Sequence, residues 1–301
     1  MTRTDISRIG IDKSKPDWAF YRGLDLLKPT ELRPEETAYW RAYYLERFGR
    51  PHKGLDFWLD NAYPEPLKRY SVYAGVGLPV SFGGRPDGSA YLLLYALLGY
   101  DEGVRYLVHG YNHGGLRKSQ VLERLAIVFL HCGPRGMETI AEALEGYEWV
   151  EPAKPTVFSS PYLPDPAAFQ SGLDFTTPTM SDAEKVTLAA WYVKWEGEIP
   201  PYVQFMLDYQ ADLLKGYRAR FENIIHELPK QWLPMILIHM NLMNGWKQGI
   251  RENVLLARGF GVPKADLLSS IAIFVYGVEA LSLFQEAAGD VIASWERDGF
   301  S

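Results

Sequence analysis

The chain has 301 residues, a hydrophobic fraction of 47%, one cysteine and a formal net charge of −6. The hydrophobic fraction suffices for a sizeable core, and the acidic balance without a long basic run excludes nucleic acid and an anionic membrane as partners. The lone Cys132 excludes an intrachain disulfide and a Cys-x-x-Cys redox pair. The opening MTRTDISRIGIDKSKPDW has no apolar signal region, and runs such as VLERLAIVFL and LSSIAIFVYGV are too short or interrupted to span a bilayer, so a cytoplasmic protein is expected.

In chain order, apolar periodicity predicts helices over 35–48, 52–62, 64–75, 88–97, 101–113, 117–131 and 134–147. The glycine-rich GVGLPVSFGGRPDG at 75–88 has no phosphate-loop Lys-Ser/Thr and reads as a loop that could cover a pocket. Residues 151–180 are rich in Pro, Ser and Thr and read as a linker or a surface arm. A second helical set follows over 181–196, 200–226, 229–244, 246–259, 263–277 and 279–297. Strict two-residue alternation is scarce, so the fold class is all-α.

The two sets share a register. Phe57-Trp58-Leu59-Asp60 lies over Phe205-Met206-Leu207-Asp208. HGYNHGGLRKSQVLERLAIVF lies over ENVLLARGFGVPKADLLSSIAIFV, with Leu116 on Val262, Leu122 on Leu268 and Ile127 on Ile273. This predicts an internal duplication with a pseudo-twofold relation: an N-terminal repeat over 1–150, a linker over 151–180 and a C-terminal repeat over 181–301.

The second set, through ELPKQWLPMILIHMNLMNGW, RENVLLARGFGV and KADLLSSIAIFVYG, resembles the carboxymuconolactone decarboxylase/AhpD-like superfamily. That family's mark is Asn-Gly followed by Cys-x-x-Cys-x-x-x-His. Asn244-Gly245 match, but the cysteine positions hold Trp246 and Gly249 and the histidine position holds Asn253. The corresponding first-repeat positions are Tyr100, Gly103 and Leu107. Thiol peroxidase chemistry needs two thiols, so it is rejected. The resemblance implies two fused AhpD-like helical repeats and a homo-oligomer. It also implies a cofactor-independent lyase, isomerase or hydrolase acting on a small cyclic or aromatic carboxylic acid or lactone by His/Glu acid–base work. The alternative is an inactive binding or scaffold protein that kept the fold.

Candidate residues follow from spacing and setting. His109 and His113, at i,i+4, share a helix face and suit acid–base work; a structural role at a helix C-terminus competes with that reading. No acidic or thiol ligand follows them at a metal-binding spacing, so neither a metal nor a cofactor is expected. His239 lies in an apolar helix close to Asn241 and seven residues before Trp246, and is the expected proton carrier. Trp246 would stack on a planar ring, while Asn253 and Asn241 orient the substrate. In the first repeat, Glu102 is a candidate acid, Arg105 a clamp for a substrate carboxylate and Tyr100 a wall. His131, Glu123, Glu252 and Glu279 are further candidates; a carboxyl buried in the apolar setting of Glu279, FVYGVEALSLF, would have a raised pKa and suit a general acid, with a paired structural carboxylate as the alternative. His226 and Glu227 are expected at the surface.

Overall fold

The computed structural model describes residues 25, 28, 30–48, 50–51, 53–61, 64–68, 80–81, 85–86, 89–157, 169–223, 226–227, 230, 232–270 and 278–296. Its helices in chain order are α1 (Pro34–Phe48), α2 (Lys53–Asp60), α3 (64–68), α4 (Ser89–Leu97), α5 (Asp101–His113), α6 (Lys118–Leu144) and α7 (Asp182–Glu196). They continue with α8 (Pro201–Tyr209), α9 (Ala211–Glu222), α10 (Trp232–Met243), α11 (Lys247–Gly259), α12 (Lys264–Ser270) and α13 (Val278–Ser294). One antiparallel ladder pairs β1 (Val80–Ser81) with β2 (Arg85–Pro86) inside the glycine-rich loop. The protein is all-α in its architecture, and among the described residues no helix is long and apolar enough to cross a membrane.

Local chemistry explains where the helices start and stop. Pro34 and Pro201 open α1 and α8 at a position where a missing amide hydrogen costs nothing. Ser181 caps α7 reciprocally with Glu184, and Gly197 ends it at φ 83°. Gly133, at φ 60° and ψ −155°, interrupts α6 just before Pro134, where two helices were expected. The single helix expected over 200–226 is two. Gln210, at φ −146° and ψ 43°, closes α8 and opens α9. The break turns Val203 and Leu207 of one helix and Leu214 and Phe221 of the other into the same core.

Two cores meet on α10. The larger joins Leu92, Val104, Val108, Leu125 and Val128 to Leu188, Val203, Leu214 and Phe221. Leu233, Ile236, Leu237 and Met240 face it, at the i, i+3, i+4, i+7 spacing of one helical stripe. Met235, Ile238 and Leu242, on the opposite side of α10, enter a smaller core with Ile250, Val254, Leu267, Ala288 and Trp295. A helix apolar all round is the one that both cores enclose.

Residues 151–180 touch the helical body at several of their described positions. The Thr156 amide donates to the Gly115 carbonyl (2.7 Å), and Phe169, Leu173 and Met180 are buried in the larger core.

Some backbone detail around α5 recurs around α11. Gly99 and Gly245 take φ of 68° and 66° before α5 and α11, each 13 residues long. Tyr100 and Trp246 precede those helices at φ/ψ of −94°/78° and −90°/88°. Their amides donate to the Tyr95 and Asn241 carbonyls at 2.8 and 3.0 Å. Past the helices, the Leu116 and Val262 amides donate to the Tyr111 and Ala257 carbonyls at 2.9 and 3.1 Å. Near the start of each half a lysine meets a glutamate: Lys68 with Glu36 at 2.9 Å, and Lys215 with Glu184 at 2.6 Å.

Candidate functional site: a buried carboxyl pair

The chemistry of this molecule concentrates where α7, α8, α9 and α11 converge. α7 and α11 cross so closely that a Cβ on Gly259 would lie 2.1 Å from the Trp195 carbonyl oxygen. That approach seats Glu196, at the end of α7, and Glu252, on α11, in one buried region, where they are 2% and 9% exposed. Tyr202 of α8 directs its hydroxyl at both Glu252 oxygens, at 2.6 and 2.7 Å. Arg218 of α9 is buried beside them, its guanidinium 4.2 Å from the Trp191 ring centre and 5.7 Å from that of Tyr192. Arg218 Nε donates to Glu222 Oε1 at 3.0 Å; Nη2 is equally close, in ion-pair contact without a hydrogen-bonding angle. The other Glu222 oxygen accepts from the Ser171 amide at 3.0 Å.

The local charge is therefore unbalanced. Arg218 is committed to Glu222, and Glu252 has a tyrosine hydroxyl in place of a cation. Both Glu196 oxygens and the Tyr192 hydroxyl are buried with no hydrogen-bond partner. An ionised carboxylate in that position is costly, so the protonated form is favoured. Burial, opposed by the Tyr202 hydrogen bond and the Arg218 charge, pushes Glu252 up to about 7. Burial, with the neighbouring Glu252 charge, also pushes Glu196 well above the usual carboxyl range. Burial raises the Tyr202 and Tyr217 phenols too, so both stay protonated and available as donors. At the rim, Trp246 is 40% exposed and meets the Tyr202 ring edge-on at 5.6 Å.

The residues expected from sequence are distributed differently. His239 is buried on the doubly enclosed α10. Asn253 is also buried, and its amide donates to the Gly249 carbonyl of its own helix at 2.8 Å. Asn241 lies against Gly249, where an added Cβ would sit 2.7 Å from its Nδ2 and 2.4 Å from the Trp246 ring. Trp246 and Asn241 are thus brought together around Gly249. Gly103 has the matching environment, with Tyr100 and Tyr95 at 2.4 and 2.7 Å from an added Cβ.

In the first half, His109 and His113 do meet, as rings stacked 3.8 Å apart. Burial first, then the charges of His113 and Arg105, push His109 down to about 4, so it is neutral at pH 7. Arg105 donates to the Ala143 and Glu145 carbonyls at 2.9 Å each, closing the C-terminus of α6. Glu102 lies 3.7 Å from Arg50. Tyr100 packs edge-on against Tyr95 at 5.2 Å.

Among the remaining candidates, burial pushes the Cys132 thiol up to about 12, leaving almost no thiolate at neutral pH. Burial, then the Arg220 charge, pushes His131 down to about 4. Glu123 accepts from the His226 and Glu227 amides at 2.8 Å each, a structural clasp. His226 itself is exposed, while Glu227 is half-buried and paired with Arg117. Glu279 is not a buried carboxyl. It is exposed, because the first turn of α13 directs Ala280, not Glu279, into the smaller core. A cleft of about 310 Å³ between α1 and α2 is lined by Ala42, Leu45 and Leu55, with Arg41 held by Asp56 and Asp60. Among the described residues, no three His, Cys, Asp or Glu side chains form a group able to hold a metal ion.

Sequence reasoning named Glu252 only as one carboxylate among several and passed over Glu196, Tyr192, Tyr202, Tyr217 and Arg218. The available signal was AAWYVKWE, an acidic residue following aromatics at helical spacing. No family model, curated protein or solved structure matches this chain.

Proposed function

We propose that the protein is a cofactor-independent acid–base enzyme, a lyase, isomerase or hydrolase acting on a small ring-bearing molecule, with Glu252 as its proton carrier. The supporting observation is the Glu252 carboxyl, held at about 7 by burial and joined to the Tyr202 hydroxyl at 2.6 Å. A group that titrates near the working pH both takes and returns protons efficiently. Glu252 is preferred to His239 because the Tyr202 hydroxyl meets it at 2.6 Å and its charge acts on the neighbouring Glu196 carboxyl. Trp246, at the rim, offers a ring face to a planar substrate.

The test is solvent exchange. A panel of cyclic ketones, lactones and aromatic acids incubated with the protein in D2O should contain members that gain deuterium or open. Glu252→Gln should slow that turnover by ~10²–10⁴-fold. Turnover retained in Glu252→Gln would remove Glu252 from the mechanism.

The reading includes a cytoplasmic chain of two fused AhpD-like repeats with a pseudo-twofold relation, divided at 151–180. The matched backbone hydrogen bonds before and after α5 and α11 support it. It also includes self-association. Leu45 and Val193, Phe57 and Phe205, and Leu122 and Leu268 occupy equivalent positions in that register, and all six are exposed, from 40% to 60%. Two copies of one apolar pattern suit a symmetric assembly better than scattered surface residues do. Light scattering should give the mass of an oligomer for the native chain and of a monomer for Phe57→Asp/Phe205→Asp. A monomeric native chain would remove this part of the reading.

A further inference from the structure

We propose that the Glu196–Glu252 site binds the ammonium group of a small aryl-bearing amine, with the carboxylates taking the charge and Tyr202, Tyr217 and Trp246 walling the ring. The inference rests on the preceding assignment of this region as the site and names its substrate class. Three glutamates and one arginine are buried here, and the arginine is already paired with Glu222. Glu196 and Glu252 therefore lack a cation of their own. The Tyr192 side chain is an independent sign of a missing partner. It is fully buried, four residues before Glu196 on the same helix face, within the field of both glutamates, and its hydroxyl has no partner. An ammonium has three donors and no acceptor, which matches the two Glu196 oxygens and the Tyr192 oxygen. The aromatic walls select an organic cation over a hard metal ion, which needs a fuller shell of oxygens.

A proton occupies the pair when the amine is absent, and the amine displaces it. The groups facing Glu252 are Glu196 and Tyr192 from α7, Tyr202 from α8, and Tyr217 and Arg218 from α9. His239 is the titratable group on α10. From α13, Asp290 is held by Arg251, which also binds Glu198. Of these groups, Arg218 brings positive charge to the pair, and its hydrogen bond goes to Glu222. Affinity for the amine should rise with pH as the pair ionises.

Isothermal titration of the full chain with benzylammonium chloride, benzyl alcohol and magnesium chloride tests the inference. Benzylammonium should saturate one site, release about one proton and bind roughly tenfold more tightly at pH 8 than at pH 6, the change expected for losing one bound proton. Benzyl alcohol and magnesium should not compete. Glu196→Gln should weaken benzylammonium by at least about tenfold, and the isosteric Tyr192→Phe by a smaller factor. No benzylammonium binding, unchanged binding in Glu196→Gln, or displacement by magnesium would each overturn the substrate class. If Glu252-dependent deuterium exchange persists alongside such a result, the acid–base reading stands and the amine falls. If the exchange is absent while benzylammonium binds as described, the reverse holds.

Discussion

Lys68→Met should destabilise the protein by about 3–5 kcal/mol, the usual cost of stranding one member of a buried ion pair. Lys68 and Glu36 have side chains 1% exposed and lie 2.9 Å apart. The ammonium also donates to the Asp25 and Lys28 carbonyls at 3.0 and 2.9 Å. Glu36 in turn accepts from the Asp25 amide at 2.6 Å and the Arg33 amide at 2.9 Å. Methionine fills the volume but leaves a carboxylate and two carbonyls short of a donor. Burial alone would raise the Glu36 pKa, but the Arg33 amide, Lys68 and the Asp25 amide together hold it below its usual value. Its contribution is therefore present above the ordinary carboxyl range and is lost as pH falls below it. Urea titration should show the loss at pH 7 and a partial recovery in Glu36→Gln/Lys68→Met. A loss under about 1 kcal/mol would mean that water reaches Glu36 once the lysine is gone.

A second large effect concerns pH. Glu252 has a folded-state pKa of about 7 against an unfolded value near 4.5, so the group binds its proton more tightly when folded. Its stabilisation is complete below the unfolded value and is lost as pH rises through the folded one. Over that window native stability should fall by on the order of 3 kcal/mol relative to Glu252→Gln, since each tenfold difference in proton affinity between the folded and unfolded chain is worth about 1.4 kcal/mol. Glu196 is shifted in the same direction and adds to the trend. His109 and His131, both held near 4, have the opposite sign: their stabilisation is lost as pH falls below 6.5. They are common to both proteins and cancel in the difference between the two denaturation curves, which reports Glu252 together with its effect on Glu196. A difference that stays flat from pH 5 to pH 8 would place Glu252 in contact with water.

The helices were legible in the sequence because their signals are local. Ser181 with Glu184, Pro201, Gly99, Gly133 and Gly197 each act within a few residues, through a cap, a fixed φ or a left-handed turn. The His109–His113 stack was legible for the same reason, since i,i+4 spacing brings the rings together on any helix. The break at Gln210 has no such signature. It follows from the need of α8 and α9 to face one core from different directions.

Only the tertiary structure decided which acidic residues are buried. Glu279 has apolar sequence neighbours and is exposed, whereas Glu196, between Trp195 and Gly197, is 2% exposed. The Glu196–Glu252 site exists because a glycine at position 259 lets α11 approach the end of α7. A helix that carries aromatic residues on several faces, as α7 does with Trp191, Tyr192 and Trp195, does not reveal by its own periodicity which face a second helix will cover. Desolvation of a carboxyl depends on that covering helix, and its contribution comes from residues far away in the chain.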